Sequence, residues 1–493
     1  MGAFGYFFDN VVEVAGGGAD TVYIQRVGDH DFYRLPANVE DGVINGSGAF
    51  DLEGNAEANI LRGNGAANVL RGLDGDDTIF IGGGDSAYGG AHTDTATFDV
   101  FGGPLFVDYD TATAMIGGRG FFFTEFEIYI GTNAGDTVNG AAYGETIRLG
   151  AGTDILNGQG GNDVLDGGAD ADTLNGGDGT DVLIGGDGYD SFEGGAGADR
   201  LDGGVDSGQA QYTFAAAGVR ADLLAPAANT GDAAGDTFIA IDSLRGTAFS
   251  DILLGDDGAN AIGGWTGGND QVFGRGGNDA LATAGGTDVL DGGTGADIMT
   301  GGSNNDRYHV DNAGDVVNEA AGGGFDVVVA TASFTLQSGS EVEVLRTIGS
   351  TDNAAAIDLA GNEARNAISG NGGANILDGG AGTDVMRGFT GNDIFRFTTA
   401  LGVSNVDRIA DFDVAQDTIQ LENAIFTGLV AGTLAAEAFH IGSAAAEADD
   451  RIIYNPATAA LIFDSNGSAA GGATQFAGLA ANLALTTNDF FAV

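Results

Sequence analysis

Between residues 149 and 202 a large apolar residue returns at every ninth position, as Leu156, Leu165, Leu174, Leu183, Phe192 and Leu201. A Gly pair or its near equivalent opens each nine-residue unit, an Asp stands sixth and the apolar residue stands eighth, as in GQGGNDVLD and GGDGTDVLI. A period of nine matches neither the 3.6-residue helix nor a long alternating strand. It predicts a tight turn over positions 1–6 and a short strand over positions 7–9 with one inward side chain. If two units complete one coil, residues eighteen apart stack at strand spacing, about 4.8 Å. The fold class that follows is all-β, an elongated stacked solenoid.

The same beat recurs elsewhere. Eight nonads run without a slip from Gly131 to Asp202. A second array contains GRGGNDALA, TAGGTDVLD, GGTGADIMT and GGSNNDRYH, and a third runs GNGGANILD, GGAGTDVMR, GFTGNDIFR. An earlier one is degenerate: GNAEANILR, GNGAANVLR, GLDGDDTIF. Longer β-rich interludes separate the arrays and also repeat, 98–136 at 212–251 and 6–72 at 308–379. The expected order is an interlude at 1–53, the degenerate array at 54–97, an interlude at 98–130 and the main array at 131–211. Then follow an interlude at 212–245, an array at 246–303, an interlude at 304–360, an array at 361–396 and a C-terminal cap at 397–493. The stretches 325–336 and 406–421 read as strands.

Composition sharpens the question of what holds such a chain together. The 493 residues include 90 Gly, 4 Pro and no Cys, with a formal charge of −54; all 17 basic residues are Arg, and Asp outnumbers Glu by 56 to 15. That charge argues against nucleic acid or an anionic membrane as partner and for cations. No apolar run reaches the eighteen residues a spanning helix needs. Missing cysteine removes thiol and disulfide chemistry. Burying one large apolar side chain per unit contributes about 1.5–3 kcal/mol, while each glycine costs about 0.5–1 kcal/mol relative to Ala. Two or three glycines per unit offset most of that gain, and stacked carboxylates repel.

Something must therefore bind the carboxylates. Asp154, Asp172 and Asp190 fall on one edge of the main array, and Asp163, Asp181 and Asp199 on the other. Asp77, Asp136, Asp251, Asp270, Asp279, Asp288, Asp297, Asp306, Asp384 and Asp393 hold the same sixth position elsewhere. Carboxylates and turn carbonyls are hard oxygens, a donor set that selects several Ca²⁺ ions over Zn²⁺ or Cu²⁺. The four histidines, His30, His92, His309 and His440, do not pair at metal-ligand spacing.

These nonads resemble G-G-x-G-x-D-x-U-x, the tandem repeat of RTX proteins secreted by Gram-negative bacteria. The resemblance implies a parallel β-roll with Ca²⁺ between consecutive turns, held by the sixth-position Asp and by carbonyls of the glycine-rich turn. The turn glycines concerned are Gly152, Gly161, Gly168, Gly177, Gly179, Gly186, Gly188, Gly195 and Gly197 in the main array. In the later arrays they are Gly277, Gly286, Gly293, Gly295, Gly380, Gly382 and Gly391. At position six, Glu145 and the asparagines Asn59, Asn68, Asn366 and Asn375 depart from the pattern, which predicts weak binding there or a capping role. Asp411 and Asp417 fit an end site or a cap equally, and DSNGS at 464–468 reads as a turn.

The N-terminus lacks the basic and apolar regions of a Sec signal. The ending LTTNDFFAV is similar to the C-terminal signal of type I secretion substrates, the alternative being a final edge strand. Either Met1 begins an abbreviated repeat or the chain is part of a longer polypeptide. No HExxH zinc motif and no GxSxG elbow occur. The acid pairs Glu125/Glu127 and Glu341/Glu343 read as interlude surface rather than glycosidase carboxylates. The aromatic clusters GYFF (5–8) and GFFFTEFEIYI (120–130) read first as core strands. The expected function is non-enzymatic: a secreted, extracellular or cell-surface structural protein that folds on Ca²⁺ and assembles with copies of itself into a surface layer, filament or matrix. The alternatives are an adhesin that binds cell-surface polysaccharide, or the non-catalytic portion of a larger enzyme.

Overall fold

A computed structural model describes residues 18–25, 31–98, 103–109, 113–348 and 354–493. The aromatic cluster at 5–8 lies outside these residues. Two compact units are present, one of residues 1–216 with 225–243, the other of 217–224 with 244–493.

In the first unit the nonad rule turns directly into stacking. Val138, Leu156, Leu174 and Phe192 sit opposite one another in successive parallel strands of one sheet. Ile147, Leu165, Leu183 and Leu201 do the same in another. Partners are eighteen residues apart, so two nonads make one coil and each contributes one short strand. All eight side chains are at most 2% exposed, while the residues flanking them along the strand are half-buried or exposed, except Glu193 beside Phe192, which is buried. One apolar residue per nonad is enough because coils above and below complete its surroundings, as in other stacked-repeat folds.

The turns are tight because the coils are close. At Gly186, φ is +112°, and a Cβ there would lie 2.0 Å from the carbonyl oxygen of Gly168. Stacking imposes this backbone even without glycine: Gln159, Arg275 and Phe389, at the equivalent second position, keep φ of 75°, 79° and 72°.

In the second unit, sequential strands of the arrays again pair in parallel, as Gln271–Phe273 with Val289–Asp291 and Val289–Asp291 with Arg307–Val310. The coils run on through the interlude. Arg307–Val310 pairs with Val327–Ala330, which pairs with Val344–Thr347, which pairs with Ala367–Ser369. The interlude is thus the same stack with longer connections. Of the two stretches expected to be strands, 325–336 yields Val327–Ala330 and Phe334–Thr335, and 406–421 yields Asp407–Ile409 and Thr418–Leu421.

Antiparallel pairing appears at Leu105–Asp108 with Thr113–Ile116, and in the C-terminal set Ile452–Asn455, Ala460–Asp464 and Ala473–Gly478. The last strand, Phe490–Ala492, is not an edge: it lies between Thr418–Leu421 and Gly432–Thr433. Among the described residues no α-helix occurs, and no helix is long and apolar enough to cross a membrane.

Candidate metal centre

Each sixth-position residue lies just before an inward strand, so its side chain turns into the coil instead of into solvent. The main array carries two rows of such residues. In one, the backbone N–H of Asp136 donates to Asp154 Oδ1, that of Asp154 to Asp172 and that of Asp172 to Asp190. In the other the order is Glu145, Asp163, Asp181, Asp199, Asp236. The bonds are 2.6–3.0 Å long, and each reaches one coil ahead. Rows of the same kind run from Asp251 through Asp270, Asp288 and Asp306 to Asp326, and from Asn260 through Asp279 and Asp297 to Asp315. Others start at Asn366 and Asn375 and pass through Asp384 and Asp393 to Asp407 and Asp417. In the degenerate array they start at Asn59 and Asn68 and pass to Asp77 and Asp85.

One carboxylate oxygen is therefore spoken for, and the other decides the chemistry. In Asp77, Asp154, Asp163, Asp172, Asp181, Asp190 and Asp199, Oδ2 is buried with no hydrogen-bond partner. The same holds for Asp279, Asp288, Asp297, Asp306, Asp384 and Asp393. An unpaired buried carboxylate oxygen is costly, and here the cost recurs in coil after coil. At several row ends it is relieved by protein donors. Asp85 Oδ2 accepts from the Gly82 N–H, Asp236 from the Tyr212 hydroxyl, Asp315 from the Asp311 N–H and Asp417 from the Asp413 N–H. Asp136 and Asp251 begin their rows in GT turns, where Thr132 and Thr247 supply hydroxyl and amide donors. Together with Asp270, these two differ from the other candidates, since no buried oxygen of theirs lacks a partner.

The asparagine departures close the rows without a cation. Asn68 Oδ1 accepts from the Asn64 N–H, and its Nδ2 donates to the Phe50 carbonyl in the coil before. Asn59, Asn366 and Asn375 repeat that arrangement with Val39, Val342 and Ile357. A neutral amide thus fills the place that elsewhere has a bare carboxylate oxygen. Exchanging Asp181 for Asn is expected to copy it: the array should gain about 1 kcal/mol in the absence of metal and need more Ca²⁺ to reach the fully folded spectrum. Thermal melts with and without chelator check both signs.

Burial is the main force on these groups. It pushes Asp154, Asp172, Asp199, Asp270 and Asp306 up to about 7, and Asp77, Asp163, Asp190, Asp279 and Asp393 up to about 6. The amide bonds oppose the rise. For Asp154, Asp172, Asp279 and Asp306, neighbouring carboxylates of the row add to it. Asp384 is raised in the same way beside Asp407.

Turn carbonyls complete the donor set. The carbonyl oxygens of Gln159 and Gly161 lie where side chains at Gly177 and Gly179 would be, and those of Gly168 and Asp170 crowd Gly186 and Gly188. The glycines at 152, 195, 277, 286, 293, 295, 380, 382 and 391 take the same left-handed backbone, and Gly197 is held against the Gly179 carbonyl. Buried carboxylate and carbonyl oxygens without nitrogen or sulfur donors suit Ca²⁺, which accepts 6–8 oxygens in flexible geometry.

A family model described as the RTX calcium-binding nonapeptide repeat (4 copies) matches residues 53–88, 130–165, 139–174, 175–209, 236–268, 266–290, 283–317 and 361–396. The chain carries RTX calcium-binding nonapeptide repeats in several copies. A search of curated proteins returns no match. The RTX rows extend past the matched segments, to Asp326, Glu343, Asp407 and Asp417. They also take in Asp94 and Asp315, which the sequence reading passed over, and Glu127 and Glu343, which it read as interlude surface and which are instead half-buried members of the rows. Asp94 stands sixth in GGAHTDTAT and Asp315 sixth in VDNAGDVVN. Glu127 and Glu343 accept the N–H groups of Asp94 and Asp326 at 2.8 and 2.7 Å, while their neighbours Glu125 and Glu341 are exposed. The available signal was an acid two positions before an apolar residue, here Ala96, Val317, Tyr129 and Leu345, all buried. Asp411 accepts from the Gly388 and Phe389 amides, and Asp464 from the Asn466 amide within its turn.

Proposed function

We propose that this RTX protein is exported to the cell exterior in an unfolded state, folds there on Ca²⁺, and acts as a structural component that assembles with its own copies. The observation that carries the reading is the succession of buried, unpartnered Asp oxygens along the rows. Without a cation they oppose folding; with Ca²⁺ between coils they become ligands, so metal-binding energy becomes folding energy. The site residues are the row aspartates together with the turn carbonyls, and each ion would be shared by successive coils. Extracellular Ca²⁺ exceeds the ~10⁻⁴–10⁻³ M dissociation constants of extracellular modules, so the same chain would be loose inside a cell and ordered outside.

Self-assembly is supported by the charge. A chain of formal charge −54 repels its copies until divalent ions neutralise it. An adhesive role is the second reading, favoured by a cavity of about 200 Å³ lined by Val107, Tyr109, Phe121 and Phe123 among others. Electron microscopy and light scattering of the whole chain, with and without millimolar Ca²⁺, separate the two. Ca²⁺-dependent lattices or fibres are expected. Dispersed monomers at high Ca²⁺ would sink the assembly role and leave a binder.

A further inference from the structure

One position in the second unit breaks the nonad rule in a way that concerns chemistry. Asp306 and Asp326 are neighbours in a row but twenty residues apart, so this coil is two residues longer than a regular one. Glu319 follows the nonad VDNAGDVVN and stands where a regular unit has its first glycine. A regular unit has no space for a side chain there: a Cβ at Gly158 would lie 2.3 Å from Asp163 Oδ2, and one at Gly301 2.4 Å from Asp306 Oδ2. The longer connection accommodates the glutamate and leaves it pointing inward, 4% exposed.

Its carboxylate joins the row pair. Ligand oxygens of Asp306, Glu319 and Asp326 all lie within 4.8 Å of one another, the one such group of three among the described residues. Asp306 and Asp326 are 2% and 1% exposed. Each of the three acids keeps one buried oxygen without a partner: Asp306 Oδ2, Glu319 Oε2 and Asp326 Oδ2. Their remaining oxygens are engaged. The Asp288 and Asp306 amides donate to Asp306 Oδ1 and Asp326 Oδ1, and the fully buried Tyr308 hydroxyl donates to Glu319 Oε1. Tyr308 thereby orients the glutamate as an outer-shell partner orients a metal ligand.

We propose that Asp306, Glu319 and Asp326 form a three-carboxylate site for a hard divalent cation of the Ca²⁺ class, tighter than the two-carboxylate positions of the rows. It rests on the calcium reading above, and adds that the interlude supplies its own ligand. Affinity in oxygen sites rises with the number of charged ligands. The long connection at 319–326 is consequently ordered at lower Ca²⁺ than the regular array.

Hydrogen exchange of the whole chain during a Ca²⁺ titration tests this by comparing residues 311–328 with 158–202. The wild-type 311–328 segment is expected to gain protection at about tenfold lower Ca²⁺ than the array. Glu319→Gln should raise that midpoint by about tenfold and leave 158–202 unchanged, and Glu319→Asp, which keeps the charge on a shorter arm, should raise it less. A midpoint in Glu319→Gln within about twofold of wild type overturns the site, as does a wild-type segment that orders no earlier than the array. Should Glu319→Gln not reach the wild-type far-UV spectrum at saturating Ca²⁺, Glu319→Asp decides by the same comparison. An array indifferent to Ca²⁺ in the wild type would instead defeat the general calcium reading, independently of Glu319.

Discussion

A divalent-cation chelator added at pH 7.5 is expected to remove most of the β signal of this protein in far-UV circular dichroism, and excess Ca²⁺ to restore it. The reason is the arithmetic of the rows. A ligand that binds only the folded state stabilises it by about 2.7 kcal/mol when present at a hundred times its dissociation constant. Four such ions contribute about 11 kcal/mol, comparable to the whole net stability of a typical domain. The aspartates that the ions would neutralise are buried and unpartnered, so the chain loses the gain and retains the cost. The C-terminal antiparallel strands should respond differently. Ile452, Ile453, Tyr454, Leu461, Phe463 and Phe476 form an apolar cluster without row carboxylates between its strands. Hydrogen exchange in chelator is therefore expected to show protection persisting at 452–478 and lost at 149–202. A β-rich spectrum that chelator does not alter would defeat the calcium-gated account.

Acid should do part of the work of calcium. Row carboxyls have folded-state values of about 6 to 7 against an ordinary 3.8. A folded value raised above the unfolded one means that folding takes up protons. The associated stability is complete below about 4 and disappears as pH rises through 6 to 7. In chelator, lowering the pH from 7.5 towards 5 should thus recover β structure, with most of the change between pH 7 and 6. With saturating Ca²⁺ the sign reverses, because the ion needs ionised carboxylates and protons compete for them. A chelated protein whose spectrum stays flat between pH 7.5 and 5 would show that repulsion and burial of these carboxylates do not control the fold.

Much of the architecture was legible because the code is local and repeated. Leu156, Leu174 and Phe192 announce one sheet and Leu165, Leu183 and Leu201 the other, since only one spacing lets each stand on the next. The row aspartates were legible for the same reason. What escaped was whatever depended on connection length. Asp94, Asp326 and Asp407 are partners of residues 17, 20 and 23 positions earlier, so a strict nine-residue phase loses them. Glu127 and Glu343 escaped because a longer acid takes the place of Asp where the connections lengthen. The distinct state of Asp136 and Asp251 was written in GTNAGD and GTAFSD. Its meaning depends on the Thr hydroxyl folding back to the carboxylate, a contact that spacing alone does not reveal. Glu319 required the three-dimensional packing outright, because nothing in EAAGGGFD states that two extra residues open space beneath the turn.

The asparagine feet and donor-satisfied ends of the rows bear on how such a chain can change in size. Two rows run side by side through each array, each with its own start and its own finish, as Asn366 to Asp407 and Asn375 to Asp417. Inserting or deleting eighteen residues adds or removes one rung from both and leaves starts and finishes in place. A change of nine residues would connect the start of one row to the finish of the other. Growth by whole coils is therefore invisible to the ends: connections can lengthen by a few residues, as between Asp306 and Asp326, but the nonads of an array are gained or lost without crossing the rows only in pairs, like a staircase that accepts new flights but no half-landings.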